Sequence, residues 1–118
     1  MKKRKIFIAC DNSRLEIVKK IITNTKTNKL DLGYKFGLEF FYSKYGRNFI
    51  KKLKNKNIFL DLKLNDIPNT CASAIYSLKD IKNVSYITVH INAGFDVLAA
   101  VKKASNKTKK NLKILGVT

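Results

Sequence analysis

The segment Asp61-Leu-Lys-Leu-Asn-Asp66-Ile-Pro-Asn-Thr70 concentrates charge at one place in the sequence. On an extended strand, Asp61 and Lys63 stand at i and i+2 and share a face. Asp66 follows in the next loop. A lysine held beside carboxylates stays protonated and can serve as a general acid. The carboxylate, in turn, can be held against an anionic group of a substrate. An isolated Asp-x-Lys pair would instead be an ordinary ion pair at a strand end, helped by an Asp cap on the next helix. Lys35 adds a further cation, flanked by Gly33 and Gly37, which leave space around it. Lys35, Asp61, Lys63 and Asp66 then make an array of alternating sign.

Positioning such an array requires a regular frame, and the sequence supplies one. Short β-rich runs occur at Ile6–Cys10, Leu32–Phe36, Ile58–Leu64, Tyr86–Ile91 and Lys113–Thr118. Their starts recur at roughly the length of a strand-plus-helix unit. Apolar stripes at helical spacing lie between them. These are Leu15/Val18/Ile21/Ile22, Phe41/Tyr45/Phe49/Ile50/Leu53, Cys71/Ala74/Ile75/Leu78 and Val97/Leu98/Val101/Ala104. Ser13 with Glu16 reads as a capping box, and Pro68 suits the first turn of the third helix. The series predicts a parallel α/β protein.

An open doubly wound sheet and a (β/α)8 barrel both fit this order. Strand alternation favours the barrel. Ile58, Leu60, Leu62 and Leu64 form an apolar face, while Phe59, Asp61 and Lys63 form the other. The same division puts Phe7, Ala9 and Asp11, then Gly33, Lys35 and Gly37, then Tyr86, Thr88 and His90 on the second face. Inward side chains at the C-terminal strand ends build the site of a (β/α)8 barrel. Burying Asp61 and Lys63 there without a function would cost several kcal/mol per ion. A complete barrel takes about 250 residues. Residues 1–118 therefore read as the N-terminal half of a single barrel domain, with four βα units and a fifth strand.

Composition narrows the classes further. The 118 residues include 25 Lys+Arg and 8 Asp+Glu, a net charge of +17. That charge invites a nucleic-acid-binding reading. The excess is mostly Lys, however, with arginine only at 4, 14 and 47. Arginine is the residue that makes bidentate phosphate and guanine contacts. The lysines are also scattered, at 19, 20, 26, 51, 52, 54, 79, 102, 103, 109 and 110, and a solvated basic surface accounts for them. No apolar run approaches the roughly 20 residues of a membrane helix. The apolar stretch Ile6–Cys10 after Met1-Lys-Lys-Arg-Lys is too short for a signal peptide. Cys10 and Cys71 are read as core residues in a reducing, cytoplasmic setting, and a Cys/His zinc site is not expected. The cluster Phe40-Phe41-Tyr42 is expected to pack a helix on the barrel. Gly94 suits either a turn or close backbone approach.

The run Asp61-Leu-Lys-Leu-Asn-Asp-Ile-Pro-Asn-Thr70 resembles orotidine 5′-phosphate decarboxylase. Asp11, the segment Tyr34–Phe41, the segment Thr88-Val-His-Ile-Asn-Ala-Gly94 and the terminal Leu115-Gly-Val-Thr118 are similar to that family in order and spacing. The resemblance covers the whole chain but about the first half of the family's barrel. Related sugar-phosphate decarboxylases share Asp-x-Lys-x-x-Asp without the Ile-Pro-Asn-Thr continuation. The resemblance implies decarboxylation of orotidine 5′-phosphate to UMP in pyrimidine biosynthesis by a homodimer, with no metal and no cofactor. It implies that Asp11 and Lys35 bind ribose hydroxyls, that Asp61 lies against the substrate carboxylate, and that Lys63 protonates C6. Asp66 and Thr70 would reach a neighbouring subunit's site. It places pyrimidine contacts beyond Thr118 and phosphate contacts in later strands, so the 118 residues alone are expected to be inactive or nearly so. His90 is open between packing and ligand contact. The alternatives are a metal-dependent sugar-phosphate decarboxylase of the same barrel group and a basic nucleic-acid-binding module with no part for the inward charges. A split or degraded gene product is a further one.

Overall fold

A computed structural model describes residues 3–108 and 111–118. Lys109 and Lys110, expected on an outer surface, lie outside the described residues, as do Met1 and Lys2. The elements alternate as the sequence predicts. Strand β1 (Lys5–Ala9) leads to helix α1 (Leu15–Asn24) and β2 (Asp31–Gly37). Two short helices, α2 (Leu38–Phe41) and α3 (Gly46–Lys52), precede β3 (Asn57–Leu64). Then come α4 (Pro68–Tyr76), β4 (Val84–His90), a 3-10 turn (Ile91–Ala93), α5 (Phe95–Thr108) and β5 (Lys113–Val117).

All five strands are parallel and lie in the order β1-β2-β3-β4-β5. A doubly wound sheet reverses its strand order part-way, whereas a barrel adds each strand beside the last. The sequential order therefore decides between the two architectures in favour of the barrel type.

Strand parity places the core. Tyr34, Phe36, Ile58, Leu60, Leu62, Ile87 and Val89 are buried on one face. Val18 and Ile22, Ile50, Cys71 and Ile75, and Val97 and Val101 of the helices close over it. The Tyr34 hydroxyl meets the Thr25 hydroxyl at 2.8 Å, so its one polar atom inside the core is satisfied. The opposite face starts with an aromatic cluster. Phe7, Phe59 and Tyr86 pack with ring centroids 5.5–5.8 Å apart. Charged groups follow toward the C-terminal strand ends. Among the described residues, no helix is long and apolar enough to cross a membrane.

Three local expectations are corrected. The first helix is not closed by a Ser13/Glu16 box. Its N-cap is Arg14, whose backbone N–H donates to Asn12 Oδ1 at 2.8 Å. Glu16 is drawn instead to the nearby guanidinium, accepting from Arg14 Nε at 2.8 Å. The second stripe does not form one helix. The chain turns between α2 and α3, where the Gly46 N–H donates to the Ser43 carbonyl. This crossing is so close that a Cβ on Gly46 would lie 1.6 Å from the Phe40 carbonyl oxygen. The turn carries Tyr42 and Tyr45 to the surface, so only Phe40 and Phe41 of the aromatic cluster pack inward. Gly94, which suits either a turn or close backbone approach, follows the 3-10 turn with φ +100° and has no atom within 4 Å of a built Cβ.

Candidate active site

The charged cluster forms where β1, β2 and β3 end. Asp61 Oδ2 accepts from Lys63 Nζ at 2.8 Å and from Lys35 Nζ at 3.3 Å. Lys35 reaches it from the neighbouring strand because Gly37 pairs with Asp61 two residues further on. Asp61 is the most enclosed of the three, with 14% of its side chain exposed against 27% for Lys35 and 46% for Lys63. Burial alone would push its carboxyl up. Hydrogen bonds from Lys63, Thr88 and Lys35, with the Lys63 charge, outweigh that and hold it below the ordinary carboxylate range. Asp61 is thus an anion with a cation on either side.

The backbone here is not a regular strand. Pairing between β3 and β4 jumps from Leu60 opposite Ile87 to Leu64 opposite Val89. The intervening residues bulge, and Lys63 takes φ +48°, in the left-handed region. That conformation costs a non-glycine residue about 1–2 kcal/mol. Strain of this kind gathers at functional sites, where the surroundings hold it in place. The Lys63 N–H is bonded to a side chain, donating to Thr88 Oγ1 at 2.9 Å. The Thr88 hydroxyl donates onward to Asp61 Oδ1 at 2.8 Å.

Lys35, Asp61 and Lys63 line an open cleft of about 320 Å³ together with Asp11 and Glu39. The Asp11 carboxylate comes within 3.7 Å of where a Cβ on Gly37 would stand. Within one chain, Asp66 is not part of this group. Its Oδ1 accepts from the Ile67 N–H at 2.7 Å, and it lines a second cleft with Pro68, Gly94 and Phe95. Thr70 is exposed on the first turn of α4. His90 is half-buried at the end of β4. Cys10 and Cys71 are free and buried, as expected of core residues, and burial pushes the Cys10 thiol up to about 11.

The sequence reading passed over two contributors, Thr88 and Glu39. Thr88 was legible in part, because strand parity already puts it on the face that carries Asp61. Glu39 gave no such signal, since it lies on a helical turn after β2.

The family model described as "Orotidine 5'-phosphate decarboxylase / HUMPS family" matches residues 4–118. An orotidine 5′-phosphate decarboxylase of Malacoplasma penetrans is 38% identical over 120 residues, covering 100% of this chain and 50% of the relative. One from Erythrobacter litoralis is 36% identical over 115 residues, covering 96% and 48%. The crystal structure of orotidine 5′-phosphate decarboxylase from Lactobacillus acidophilus superposes with a TM-score of 0.85 at 31% identity, covering 98% of this chain and 53% of that one. The Methanocaldococcus jannaschii enzyme, solved with the inhibitor BMP, gives 0.80 at 30% identity, covering 99% and 53%. The chain thus spans about half the length of the curated relatives it matches.

Proposed function

Because the chain belongs to the orotidine 5′-phosphate decarboxylase / HUMPS family, we propose that its charged site serves the decarboxylation of orotidine 5′-phosphate to UMP in pyrimidine biosynthesis. The observation that carries this reading is Asp61 fixed between Lys35 of β2 and Lys63 of β3 at the strand ends. The substrate carboxylate lies against Asp61. As the bond from C6 to that carboxylate breaks, its electron pair stays on C6 and carbon dioxide leaves. Lys63 Nζ gives its proton to C6, and the neutral amine regains a proton from water. A cation already in place stabilises the charge developing at C6 without reorganising. Asp11 and Lys35 bind the ribose hydroxyls. Asp66 and Thr70, apart from this cleft, serve the site of a second subunit in a homodimer. The scheme uses no metal and no cofactor, and its setting is the cytoplasm.

Residues 1–118 are, in this reading, the N-terminal half of one (β/α)8 barrel domain. The pyrimidine and phosphate contacts come from the other half. Contacts to remote parts of a substrate lower the barrier at the reacting centre, so the 118 residues alone turn over little or nothing. The test measures carbon dioxide released from carboxyl-labelled orotidine 5′-phosphate. The chain is assayed alone and together with the separately produced C-terminal half of the Malacoplasma penetrans relative. Lys63→Ala is the blank in both arms. The mixed sample should release label, and Lys63→Ala should lower that release by about 10²–10³-fold or more, as losing one preorganised group does. Equal release from wild type and Lys63→Ala would remove Lys63 from the chemistry. Turnover by the lone chain above the blank would contradict its inactivity. A metal-dependent sugar-phosphate decarboxylase is the second reading, and EDTA separates the two. The rate survives chelation in the first and is lost in the second.

A further inference from the structure

We propose that Thr88 is the positioning residue of this site, a single hydroxyl that holds both the bulged Lys63 backbone and the Asp61 carboxylate. The proposal deepens the decarboxylase reading, which supplies the reason that the Asp61–Lys63 geometry matters. It stands on the geometry of β3 and β4. The bulge between Leu60 and Leu64 takes Lys63 out of register with β4. The bulge takes the Lys63 N–H out of the strand ladder, so it needs another partner. Thr88 Oγ1 accepts that N–H at 2.9 Å and uses its own proton on Asp61 Oδ1 at 2.8 Å. Thr88 is itself 5% exposed, so water competes poorly for either bond.

Each end of this relay does a different task. The bond from the Lys63 N–H stabilises the left-handed conformation that aims the side chain back over its own strand. The bond to Oδ1 fixes the rotation of the Asp61 carboxylate. Oδ2 is thereby left for the two lysines, which approach it at 2.8 and 3.3 Å. Without the hydroxyl, Asp61 is free to turn, and Lys63 loses the anchor of its backbone. Thr88 makes both contacts from the strand next door and need not touch the substrate.

Two hydroxyl variants test this in the 118-residue chain by NMR. Thr88→Val keeps the shape without the hydroxyl, and Thr88→Ser keeps the hydroxyl without the methyl. The first readout is hydrogen exchange of the Lys63 amide. In Thr88→Val it should quicken roughly tenfold or more, the equivalent of one lost hydrogen bond. The Ile87 amide, deeper in the same pairing, should hold its wild-type rate. The second readout is the titration of the Asp61 carboxyl. Its midpoint should rise in Thr88→Val and stay at the wild-type value in Thr88→Ser. The groups facing Asp61 are Lys35 on β2 and Lys63 on its own strand. Asp11 after β1 and Glu39 on α2 line the same cleft, and His90 shares the Thr88 face of β4. These groups are common to all samples, so a difference between variants belongs to the hydroxyl. Thr88→Ala, a second variant without the hydroxyl, takes the place of Thr88→Val should that one not fold.

The proposal is overturned if the variants without the hydroxyl keep the wild-type Lys63 exchange rate and Asp61 midpoint. It is overturned equally if Thr88→Ser behaves as Thr88→Val does, or if none but wild type folds, since keeping the hydroxyl would then rescue nothing. None of these readouts uses turnover. Failure of the decarboxylase reading would show in the labelled-substrate assay and leave this result standing.

Discussion

Asp61 makes more polar contacts than any other side chain in the cleft, and that has a consequence for pH. Its carboxyl titrates lower in the folded chain than its ordinary value. The unfolded chain therefore takes up the proton first as pH falls. The stabilisation from Asp61 is complete above about pH 3.9, the ordinary carboxylate value, and is lost as pH drops through the folded value. We expect the urea midpoint of wild type to fall more steeply than that of Asp61→Asn between about pH 5 and pH 2.5. The effect is moderate, because Lys63 is nearly half exposed and water screens its share of the pairing. Parallel slopes would mean that Lys35 and Lys63 contribute nothing net to folding.

At the scale of elements, what was legible in the sequence is what depends on local period. The alternation in Ile58-Phe-Leu-Asp-Leu-Lys-Leu64 fixes which residues face the helices, and Ile58, Leu60 and Leu62 are indeed buried. It puts Asp61 on the other face, and the same period in β2 puts Lys35 on that face beside it. The β3 bulge was not legible, because its Lys63 N–H finds its partner on Thr88, 25 residues further along the chain. Nor was the break between α2 and α3, because the apolar spacing from Phe41 to Leu53 runs straight through it. Gly46 was its one mark, and a lone glycine does not end a helical pattern by itself. The structure gives that glycine a sharp test. Any Cβ there meets the backbone of Phe40, which has no rotamer by which to move away. At Gly94 the space is open and the strain is conformational alone, about 1–3 kcal/mol for a side chain at such a φ. Gly46→Ala should therefore lower the urea midpoint more than Gly94→Ala does, with a loss of about 3 kcal/mol or more, as for the larger core clashes. The reverse order would mean that α2 and α3 can separate without cost to the sheet.

For the whole molecule, the net charge of +17 is the dominant fact. The ion pairs formed among the described residues involve Glu16, Asp61 and Asp80 as their acids. Arg47 clasps Asp80 at 2.7 Å, with Lys51 alongside at 3.3 Å, and so ties α3 to the segment after α4. The hydrogen bond from Arg47 holds the Asp80 carboxyl well below its usual range. These few attractions stand against many exposed lysines. Lys19, Lys20 and Lys26, Lys51, Lys52 and Lys54, Lys79, and Lys102 and Lys103 are exposed on helices and loops right across the outer surface. They are spread rather than gathered into one patch, so their main effect on this chain is mutual repulsion. That repulsion acts over a body 41 × 39 × 27 Å in extent. The screening length shrinks from about 30 Å at 0.01 M salt to about 8 Å at 0.15 M. Added salt should therefore weaken the long-range repulsion first and leave the short contacts at Asp61 and Asp80 mostly intact. We expect the urea midpoint at neutral pH to rise as sodium chloride goes from about 0.01 to 0.3 M, most of it below about 0.15 M where the screening length changes fastest. A fall over the same range would mean that the ion pairs outweigh the repulsion. Asp61 and its two lysines would then contribute to the stability of the whole sheet.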